Sequence, residues 1–294
     1  MGGDSKYLGL WYVAPYAVGL LLFTAFPFVA SFYLSFTDYN LLSDPEWVGT
    51  ANYEKLFTRD RTFDKSLRVT LTYVFMTVPI KLVFALFIAV VLNYRLRGIN
   101  LFRTAYYVPS LLGGSIAVAV IWRYIFAQSG LMNMIITALG GEPINWFGDP
   151  ENALFTITLL RCWQFGSAMV IFLAALQSVD KSLYEAASID GAGPWHIFRY
   201  ITLPLITPVI FFNLIMQTVQ AFQEFNGPYI ITEGGPLKNT YLLPLYIYEE
   251  AFGNFDMGYA SAIAWVLFAI IMTLTLLAFW SSKKWVYYAG DKRN

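Results

Sequence analysis

Charged side chains are scarce in this sequence. Asp, Glu, Lys and Arg make up 13% of its 294 residues, whereas an average soluble domain carries about 25%. Hydrophobic residues reach 57% and aromatic residues 18%. This composition excludes an ordinary soluble domain and indicates a membrane protein.

Cysteine and histidine are nearly absent as well. Cys162 is the one cysteine, which excludes an internal disulfide. His196 is the one histidine, which argues against a histidine-rich metal site and a histidine-based catalytic triad. We expect His196 to be a surface residue, and we expect neither catalytic residues nor a metal site. The formal net charge of zero gives no indication of a nucleic-acid partner.

Six segments are long and apolar enough to cross a bilayer, which takes roughly 20 helical residues. The first is too long for the apolar region of a cleavable signal peptide, so we expect a span there. The connection 37–66 is expected to form a small extramembrane cap. The sequence therefore predicts an all-α polytopic membrane protein with a single transmembrane domain over residues 1–294. Its spans are predicted at about 10–36, 67–92, 105–126, 153–177, 205–231 and 258–282.

Basic residues indicate which way the spans run. If both termini are cytoplasmic, the outer loops after spans three and five share one basic residue, Lys238. The other outer basic residues crowd into residues 55–68, and the inner side holds Arg95, Arg97, Lys181 and most of the rest. Positive residues favour the cytoplasmic side, so we expect both termini there, together with the segment between spans four and five.

That segment, residues 178–204, is hydrophilic. Ser182 stands three residues before Glu185, the spacing of a capping box, so we expect a short helix to begin at Leu183. On composition alone, the segment is either an amphipathic loop on the lipid surface or a docking site for another protein.

Small residues shape the rest of this segment. Ala186 and Ala187 leave the expected helix a thin surface against which another body can pack closely. Gly191 and Gly193 end the helix, and Pro194 suits the first turn of a second short helix. The pattern predicts a compact helix–turn–helix unit between two spans.

The order of these residues resembles a known motif. It is similar to the cytoplasmic EAA loop of the inner-membrane permeases of ATP-binding-cassette importers, on which the ATPase subunit docks. The resemblance implies that the ATPase-coupling residues are Glu185, Ala186, Ala187, Asp190, Gly191 and Gly193. The full match comprises Glu185, Ala186, Ala187, Asp190, Gly191, Ala192, Gly193, Ile201, Leu203, Pro204 and Pro208.

Other stretches resemble the sugar permeases of the MalF/UgpA type. They are residues 22–27, 31–38, 47–53 and 232–236. The resemblance implies a type I importer permease bundle of six helices, with a cytoplasmic coupling-helix loop, in the cytoplasmic membrane of a prokaryote. The partners it implies are a homologous second permease, two copies of an ATP-binding-cassette ATPase, an extracytoplasmic solute-binding protein, membrane lipid, and a carbohydrate solute such as an oligosaccharide or sugar derivative.

The sequence contains no Walker A motif, G-x-x-x-x-G-K-[ST]. We therefore expect no cofactor in this chain and no enzymatic activity, with ATP and Mg²⁺ bound by the partner ATPase. Glu185 is expected to pair with a basic residue of that ATPase, to complete its own capping box, or to do both.

Four charged residues fall within the predicted spans: Lys81, Arg123, Arg161 and Glu224. A charge inside a bilayer is costly, so each is a candidate functional residue. Arg123 and Arg161 lie near outer ends of spans, where long side chains reach the headgroups, and they are candidates for an outer part of a solute path. Lys81 lies deeper and faces either a subunit interface or a water-filled path.

Polar residues also recur along the fifth span. On an ideal helix, Asn213, Gln217, Gln220 and Glu224 fall within a stripe about 60° wide. Such a stripe either lines a solute path or makes hydrogen bonds to a packed neighbouring helix. We interpret it as a carbohydrate path, with Tyr229 among the aromatic residues that would contact the C–H faces of a sugar.

Two other classes of membrane protein are less consistent with this sequence. An ion-coupled secondary transporter would explain the intramembrane charges, but the sequence shows no inverted repeat and an EAA loop has no role there. A polytopic membrane enzyme would need a catalytic constellation, which a single loop histidine does not provide. The sequence therefore favours a carbohydrate-importer permease.

Overall fold

The computed structural model describes residues 8–94 and 97–288. Helices dominate these residues, which confirms the predicted all-α fold. The one sheet among them pairs β1 (Thr37–Asp38) with β2 (Glu46–Trp47) in antiparallel fashion. π-helical turns cover Leu21–Ala25, Phe198–Thr202, Pro228–Thr232 and Glu249–Gly253. The helices are α1 (Leu8–Leu20), α2 (Phe26–Leu34), α3 (Ala51–Thr58), α4 (Arg61–Leu92), α5 (Ile99–Leu111), α6 (Ile116–Ile125), α7 (Leu131–Ala138), α8 (Pro150–Trp163), α9 (Gly166–Ser178), α10 (Lys181–Ile189), α11 (Pro194–Ile197), α12 (Leu203–Phe222), α13 (Leu243–Tyr248) and α14 (Met257–Trp285).

Long apolar helices account for the predicted spans. Within the described residues, four helices are long and apolar enough to cross a membrane, or six spans arise if each of two bent helix pairs counts as one. The four are Trp11–Leu34, Arg61–Leu92, Pro194–Phe222 and Met257–Trp285. They correspond to predicted spans one, two, five and six, and the bent pairs correspond to spans three and four.

The third predicted span, residues 105–126, is not one helix, which corrects the prediction. α5 and α6 meet at an angle of 100°. Gly113 and Gly114 lie in the break, and glycine is a poor helix former because its backbone is unusually free. Ser115, which precedes α6, has an extended backbone. This segment is therefore a broken span or a re-entrant loop.

The fourth predicted span, residues 153–177, bends by 43° between α8 and α9. Ser110 of α5 satisfies the backbone freed at this bend, because its Oγ donates to the Gln164 carbonyl at 3.2 Å and accepts from the Ser167 N–H at 3.0 Å. Gly166 permits the approach, since a Cβ there would lie 2.8 Å from the Ser110 hydroxyl. Hydroxyl groups commonly satisfy the backbone groups that are left free where a membrane helix is broken.

The fifth predicted span, residues 205–231, is displaced toward the N-terminus. One continuous helix runs from Pro194 to Phe222. The short helix expected at Pro194 is present as α11, but it continues through the π-helical turn into α12, so its first turn is also the first turn of the span. Residues 223–227 then connect the helix irregularly to the π-helical turn Pro228–Thr232.

Two prolines explain two of the π-helical turns. Leu21–Ala25 lies just before Pro27, and Phe198–Thr202 lies just before Pro204. Proline lacks an N–H and clashes with the carbonyl four residues before it. A wider turn at that point lets the helix continue through the proline.

The chain divides into two compact units, and each is described by itself. The first holds the described residues up to Phe63 together with Tyr246–Ala269. The second holds Asp64–Leu245 together with the described residues from Ile270 onward. The expectation of one domain over residues 1–294 stays a prediction.

Most of the expected extramembrane cap lies in the first unit, where it forms the β1–β2 pair and α3. Asn52 of α3 donates from its Nδ2 to the carbonyl oxygens of Ser35 at 3.0 Å and Thr37 at 2.9 Å. Asp60 then accepts the N–H of Thr62 at 2.8 Å through its Oδ1. The second span therefore begins at Arg61, where this carboxylate caps it, and not at the predicted residue 67.

Helices α4, α8, α9 and α12 form the core of the second unit. Ile157, Met169, Phe172 and Phe222 are buried there. The hydroxyls of Thr77 and Thr158 lie 3.2 Å apart and join α4 to α8. This core holds the candidate site residues of spans four and five.

Candidate functional site

The loop between spans four and five begins with a capped helix, but not the one predicted. α10 starts at Lys181, and Asp180 is its N-cap, accepting the Ser182 N–H at 2.9 Å. Hydrogen bonds from the backbone N–H and hydroxyl of Ser182 lower the pKa of the exposed Asp180 carboxyl. The predicted capping box of Ser182 and Glu185 is therefore wrong, and Glu185 lies in the second turn with its carboxylate free of any cap.

A Schellman turn ends α10. Gly191 has a φ of 77°, in the left-handed region that favours glycine. The Ala192 N–H donates to the Ala187 carbonyl at 2.9 Å, and the Gly191 N–H donates to the Ser188 carbonyl at 3.1 Å. These two bonds satisfy carbonyls that a helix end otherwise leaves unpaired. Gly193, at a φ of −71°, needs no such freedom.

One face of this loop is open to the surroundings. Glu185 and Ala186 are exposed, and Glu185 forms neither a hydrogen bond nor an ion pair with the described residues. Ile189 is 86% exposed and Trp195 is 74% exposed. His196 is exposed too, with its ring 4.3 Å from that of Tyr200. Apolar side chains beside a free carboxylate are typical of an interaction surface.

The loop is tied to span five by a side-chain hydrogen bond. The Thr202 hydroxyl donates to the Tyr184 hydroxyl oxygen over 3.2 Å. Tyr184 belongs to α10 and Thr202 to the continuous helix from Pro194 to Phe222, so this hydrogen bond joins the two.

Arg161 and Glu224 form an ion pair inside the second unit. Glu224 is 2% exposed and pairs with the Arg161 guanidinium through Oε2, while its Oε1 accepts the Gly227 N–H at 2.9 Å. Arg161 also donates to Gln164 Oε1 at 3.0 Å. The expectation that Arg161 extends to the headgroups is therefore wrong, because its charge is neutralised within the protein.

The structure places some residues of the polar stripe of span five in the interior and others at the surface. Asn213 and Gln217 are buried, whereas Gln220 is exposed. Glu224 lies beyond the end of α12, so its angle on an ideal helix does not apply. Both amide atoms of Asn213 are buried without a hydrogen-bond partner in the described chain. The assignment of these residues to a solute path stays a prediction.

Lys81, whose position the sequence left open, lies in the protein interior. It lines a cavity of about 10 Å³ together with Tyr73, Arg161, Gln217 and Gln220. That volume holds about one water molecule. In this conformation the cavity therefore does not admit a sugar.

The remaining candidates lie at the surface. Arg123 is half exposed, donates to the Ile230 carbonyl at 3.2 Å, and lies 3.4 Å from a Glu233 carboxylate oxygen. Tyr229 is 43% exposed, and its ring stacks on Phe225 at a centroid distance of 5.0 Å. Among the described residues, no three His, Cys, Asp or Glu side chains could together hold a metal ion.

Sequence reasoning missed one cluster in the first unit. Asp60 accepts hydrogen bonds from the hydroxyls of Tyr246 and Tyr259, each at 2.5 Å. Burial alone would raise the pKa of the Asp60 carboxyl, but the tyrosine hydroxyls and the N–H groups of Phe63 and Thr62 outweigh it and lower that pKa. The N-cap position of Asp60 was readable from the sequence, whereas its distant tyrosine partners had no local signal.

The family of the chain follows from comparison with known proteins. The family described as "Binding-protein-dependent transport system inner membrane component" matches residues 51–285. The chain belongs to this family. The permease resemblance drawn from the loop and the flanking spans is thereby confirmed.

Individual relatives and a solved structure agree with the family assignment. The permease is 48% identical over 287 residues to the probable ABC transporter permease protein YesP of Bacillus subtilis, covering 97% of this chain and 93% of the relative. It is 34% identical to the lactose transport system permease protein LacF of Rhizobium radiobacter, covering 94% of each chain. A chain of a bacterial alginate ABC transporter, solved with an alginate pentasaccharide-bound periplasmic protein, matches with a TM-score of 0.84 at 20% identity, covering 95% of each chain. This last likeness shows the fold.

Membership of the family decides between the classes of protein that the sequence left open. The chain is a multi-pass membrane permease of an ABC importer and not an enzyme, as predicted. The ion-coupled transporter and the polytopic enzyme are no longer needed to explain Lys81, Arg161 and Glu224.

Proposed function

We propose that this permease imports a carbohydrate across the cytoplasmic membrane of a prokaryote, driven by ATP hydrolysis in a separate subunit. The observation that carries the proposal is the exposed face of α10 and its turn. Glu185 and Ile189 face outward without partners in the described chain. Burying so exposed an isoleucine against another protein contributes about 1.5–3 kcal/mol.

The partners follow from this face. Two copies of an ATP-binding-cassette ATPase would hold ATP and Mg²⁺, one of them docking on Glu185, Ala186, Ala187, Asp190, Gly191 and Gly193. A homologous second permease would complete the membrane path, and an extracytoplasmic binding protein would deliver the solute. Both termini would be cytoplasmic, which places α10 on the same side as the ATPase.

Coupling would run along span five. The helix Pro194–Phe222 has 29 residues, which rise about 43 Å. The Tyr184–Thr202 hydrogen bond fixes its lower end to α10. Its upper end stops beside Glu224, which is held by Arg161. Closure of the ATPases would therefore move this helix, which reaches from the docking surface to the outer half of the permease.

The solute path would follow the exposed side of the helix Pro194–Phe222. Gln220 and Tyr229 are exposed in the isolated chain and supply an amide and an aromatic face for a sugar. Asn213 and Gln217 are buried and would join the path when the neighbouring helices separate. Arg123 would lie near its outer mouth. Arg161 and Glu224 would hold the path in place and not contact the solute, since they neutralise each other.

The docking surface can be tested with two matched substitutions. Ile189 is 86% exposed and Leu139 is 84% exposed, so replacing either with Glu leaves the fold intact. We expect Ile189→Glu to abolish co-purification of the ATPase with the permease, because it places a charge in the interface. Leu139→Glu, on the expected outer side, should leave co-purification unchanged. Retention of the ATPase by Ile189→Glu would contradict the proposal.

A further inference from the structure

Two neighbouring hollows on the second unit share part of their lining. One is an open cavity of about 720 Å³ whose lining includes three cations, Arg97, Arg103 and Lys181. The other is an open, largely apolar groove of about 810 Å³. The residues that line both are Asn93, Tyr94, Leu176 and Tyr184.

The cavity carries uncompensated positive charge. No carboxylate is among the described residues that line it, and within the described ranges none of its three cations forms an ion pair. Arg103 donates to the Leu92 carbonyl at 2.8 Å and to Asn100 Oδ1 at 3.3 Å, which are both neutral acceptors. The Arg103 Nε is buried with no partner among the described residues. A guanidinium that is held in place by neutral acceptors alone keeps its charge available to an anion.

The groove has the apolar character of a site for part of an acyl chain. Val83, Phe87 and Val90 of α4 line it at spacings of four and three residues, so they share one helix face. Val83 is 70% exposed and Phe87 is 61% exposed. From Val83 to Val90 the helix rises about 10 Å, against about 15 Å for the apolar half of one leaflet.

The opposite wall of the hollows is one face of α10. Lys181, Tyr184 and Ser188 line them, at spacings of three and four residues. Glu185 and Ile189 do not line either hollow, and they lie on the adjacent face. α10 can therefore contact a ligand in the groove through one face and an ATPase through the adjacent face.

We propose that these hollows bind one anionic phospholipid. Its phosphate headgroup lies among Arg97, Arg103 and Lys181, and an acyl chain follows Val83, Phe87 and Val90. Charge complementarity in the cavity and continuity with the groove select this amphipathic anion over a neutral lipid, and basic pockets between membrane helices at the cytoplasmic side suit such headgroups. The proposal goes beyond solute import and depends on it only for the choice of leaflet. The lipid fills the gap between α4 and α10 and so supports α10.

The test measures lipid bound to the purified importer complex in detergent, by native mass spectrometry during titration with phosphatidylglycerol. Neutralising one basic residue weakens the binding of an anionic headgroup by about fivefold. We therefore expect Arg97→Gln combined with Lys181→Gln to weaken phosphatidylglycerol binding about 25-fold and to leave phosphatidylcholine binding unchanged. Arg103 is kept, because it also binds the Leu92 carbonyl. Because micelles present both sides of the protein, a wrong membrane orientation does not affect the result.

Two controls make the result decisive. Lys283→Gln with Lys284→Gln removes the same charge from the end of α14 and should not change binding. Val83→Trp fills the groove and should weaken binding of phosphatidylglycerol, whereas Val91→Trp, on an exposed residue outside the groove lining, should not. Equal loss in both charge variants, unchanged binding in Val83→Trp, or full replacement of the lipid by inorganic phosphate would each overturn the proposal.

Discussion

Thr202 donates a hydrogen bond from its hydroxyl to the hydroxyl oxygen of Tyr184, 3.2 Å away, and so joins α10 to the first turns of span five. A neutral hydrogen bond of this kind contributes about 0.5–1.5 kcal/mol. That is little for stability, but it lies where movement of the ATPase would enter the membrane helices.

Removing the Tyr184 hydroxyl should therefore uncouple hydrolysis from transport. We expect Tyr184→Phe to lower the solute imported per ATP hydrolysed while the ATPase still co-purifies. A double-mutant cycle with Thr202→Val should give an interaction free energy of about 0.5–1.5 kcal/mol in thermal unfolding. Tyr200→Phe is the control, since Tyr200 is 63% exposed. An equal loss of coupling in Tyr200→Phe would argue against the role of Tyr184.

The turn after α10 provides a second, well-controlled test. A Cβ at Gly191 or at Gly193 would meet no atom within 4 Å, but φ is +77° at Gly191 and −71° at Gly193. Gly191→Ala should therefore cost about 1–2 kcal/mol of local stability and weaken ATPase attachment, because only its backbone is left-handed. Gly193→Ala should have no effect on co-purification. Proline also adopts a φ near −71°, so Gly193→Pro would not test the left-handed turn either.

The Arg161–Glu224 pair predicts a loss of stability and not of solute recognition. Glu224→Gln leaves the Arg161 charge without a partner and should lower the free energy of unfolding by about 3 kcal/mol, the lower end of the range for broken buried pairs. The double variant Arg161→Met, Glu224→Leu should recover most of that loss, because neither charge remains. Thermal unfolding of the purified permease measures both. A double variant as unstable as Glu224→Gln would contradict the ion-pair explanation.

The amides of span five predict the opposite pattern. Gln217→Leu and Gln220→Leu should reduce solute uptake by roughly five- to 150-fold, since a sugar hydroxyl left without a partner costs about 1–3 kcal/mol. Assembly and ATPase docking should be unchanged. If the amides only pack against a neighbouring helix, the loss is about 0.6 kcal/mol and affects thermal stability alone. Val219→Ala serves as the control for packing in the same helix.

Asp60 predicts a dependence of stability on pH. Its pKa in the folded protein lies below the ordinary value of 3.8. A depressed pKa means that the carboxylate stabilises the folded state above the unfolded pKa, and that this contribution is lost as pH falls through the folded pKa. The melting temperature should therefore fall below about pH 4, and Asp60→Asn should remove this part of the fall. A pH profile of Asp60→Asn that matches the unaltered permease would contradict the assignment.

The sequence predicted local and periodic features well. Long apolar runs located the helices that are long enough to span the membrane, and the Glu185–Pro204 string identified the permease family. The bend at Gly166 was not predicted, because it depends on Ser110 reaching backbone groups that are distant in sequence. The break at Gly113 was not predicted, because membrane helices often tolerate glycine without breaking.

Two further errors came from treating each segment alone. The polar stripe predicted for span five requires an ideal helix past Phe222. Glu224 instead lies outside that helix, where it pairs with Arg161 from another span. The predicted capping box placed the cap at Ser182, whereas the equally good cap Asp180 directly precedes the helix. Such choices depend on packing and on partners that no local pattern contains.

The ion pair between Arg161 and Glu224 also bears on how the chain is inserted during its synthesis. The two residues are 63 positions apart, and a ribosome adds about 5–20 residues per second, so Arg161 is made about 3–13 s before its partner. An arginine alone at the centre of a membrane helix costs about 2.5–3.5 kcal/mol to insert. Span four therefore enters the lipid at a disadvantage until span five follows. We therefore expect span four to leave the translocon together with span five, after the loop between them has been translated.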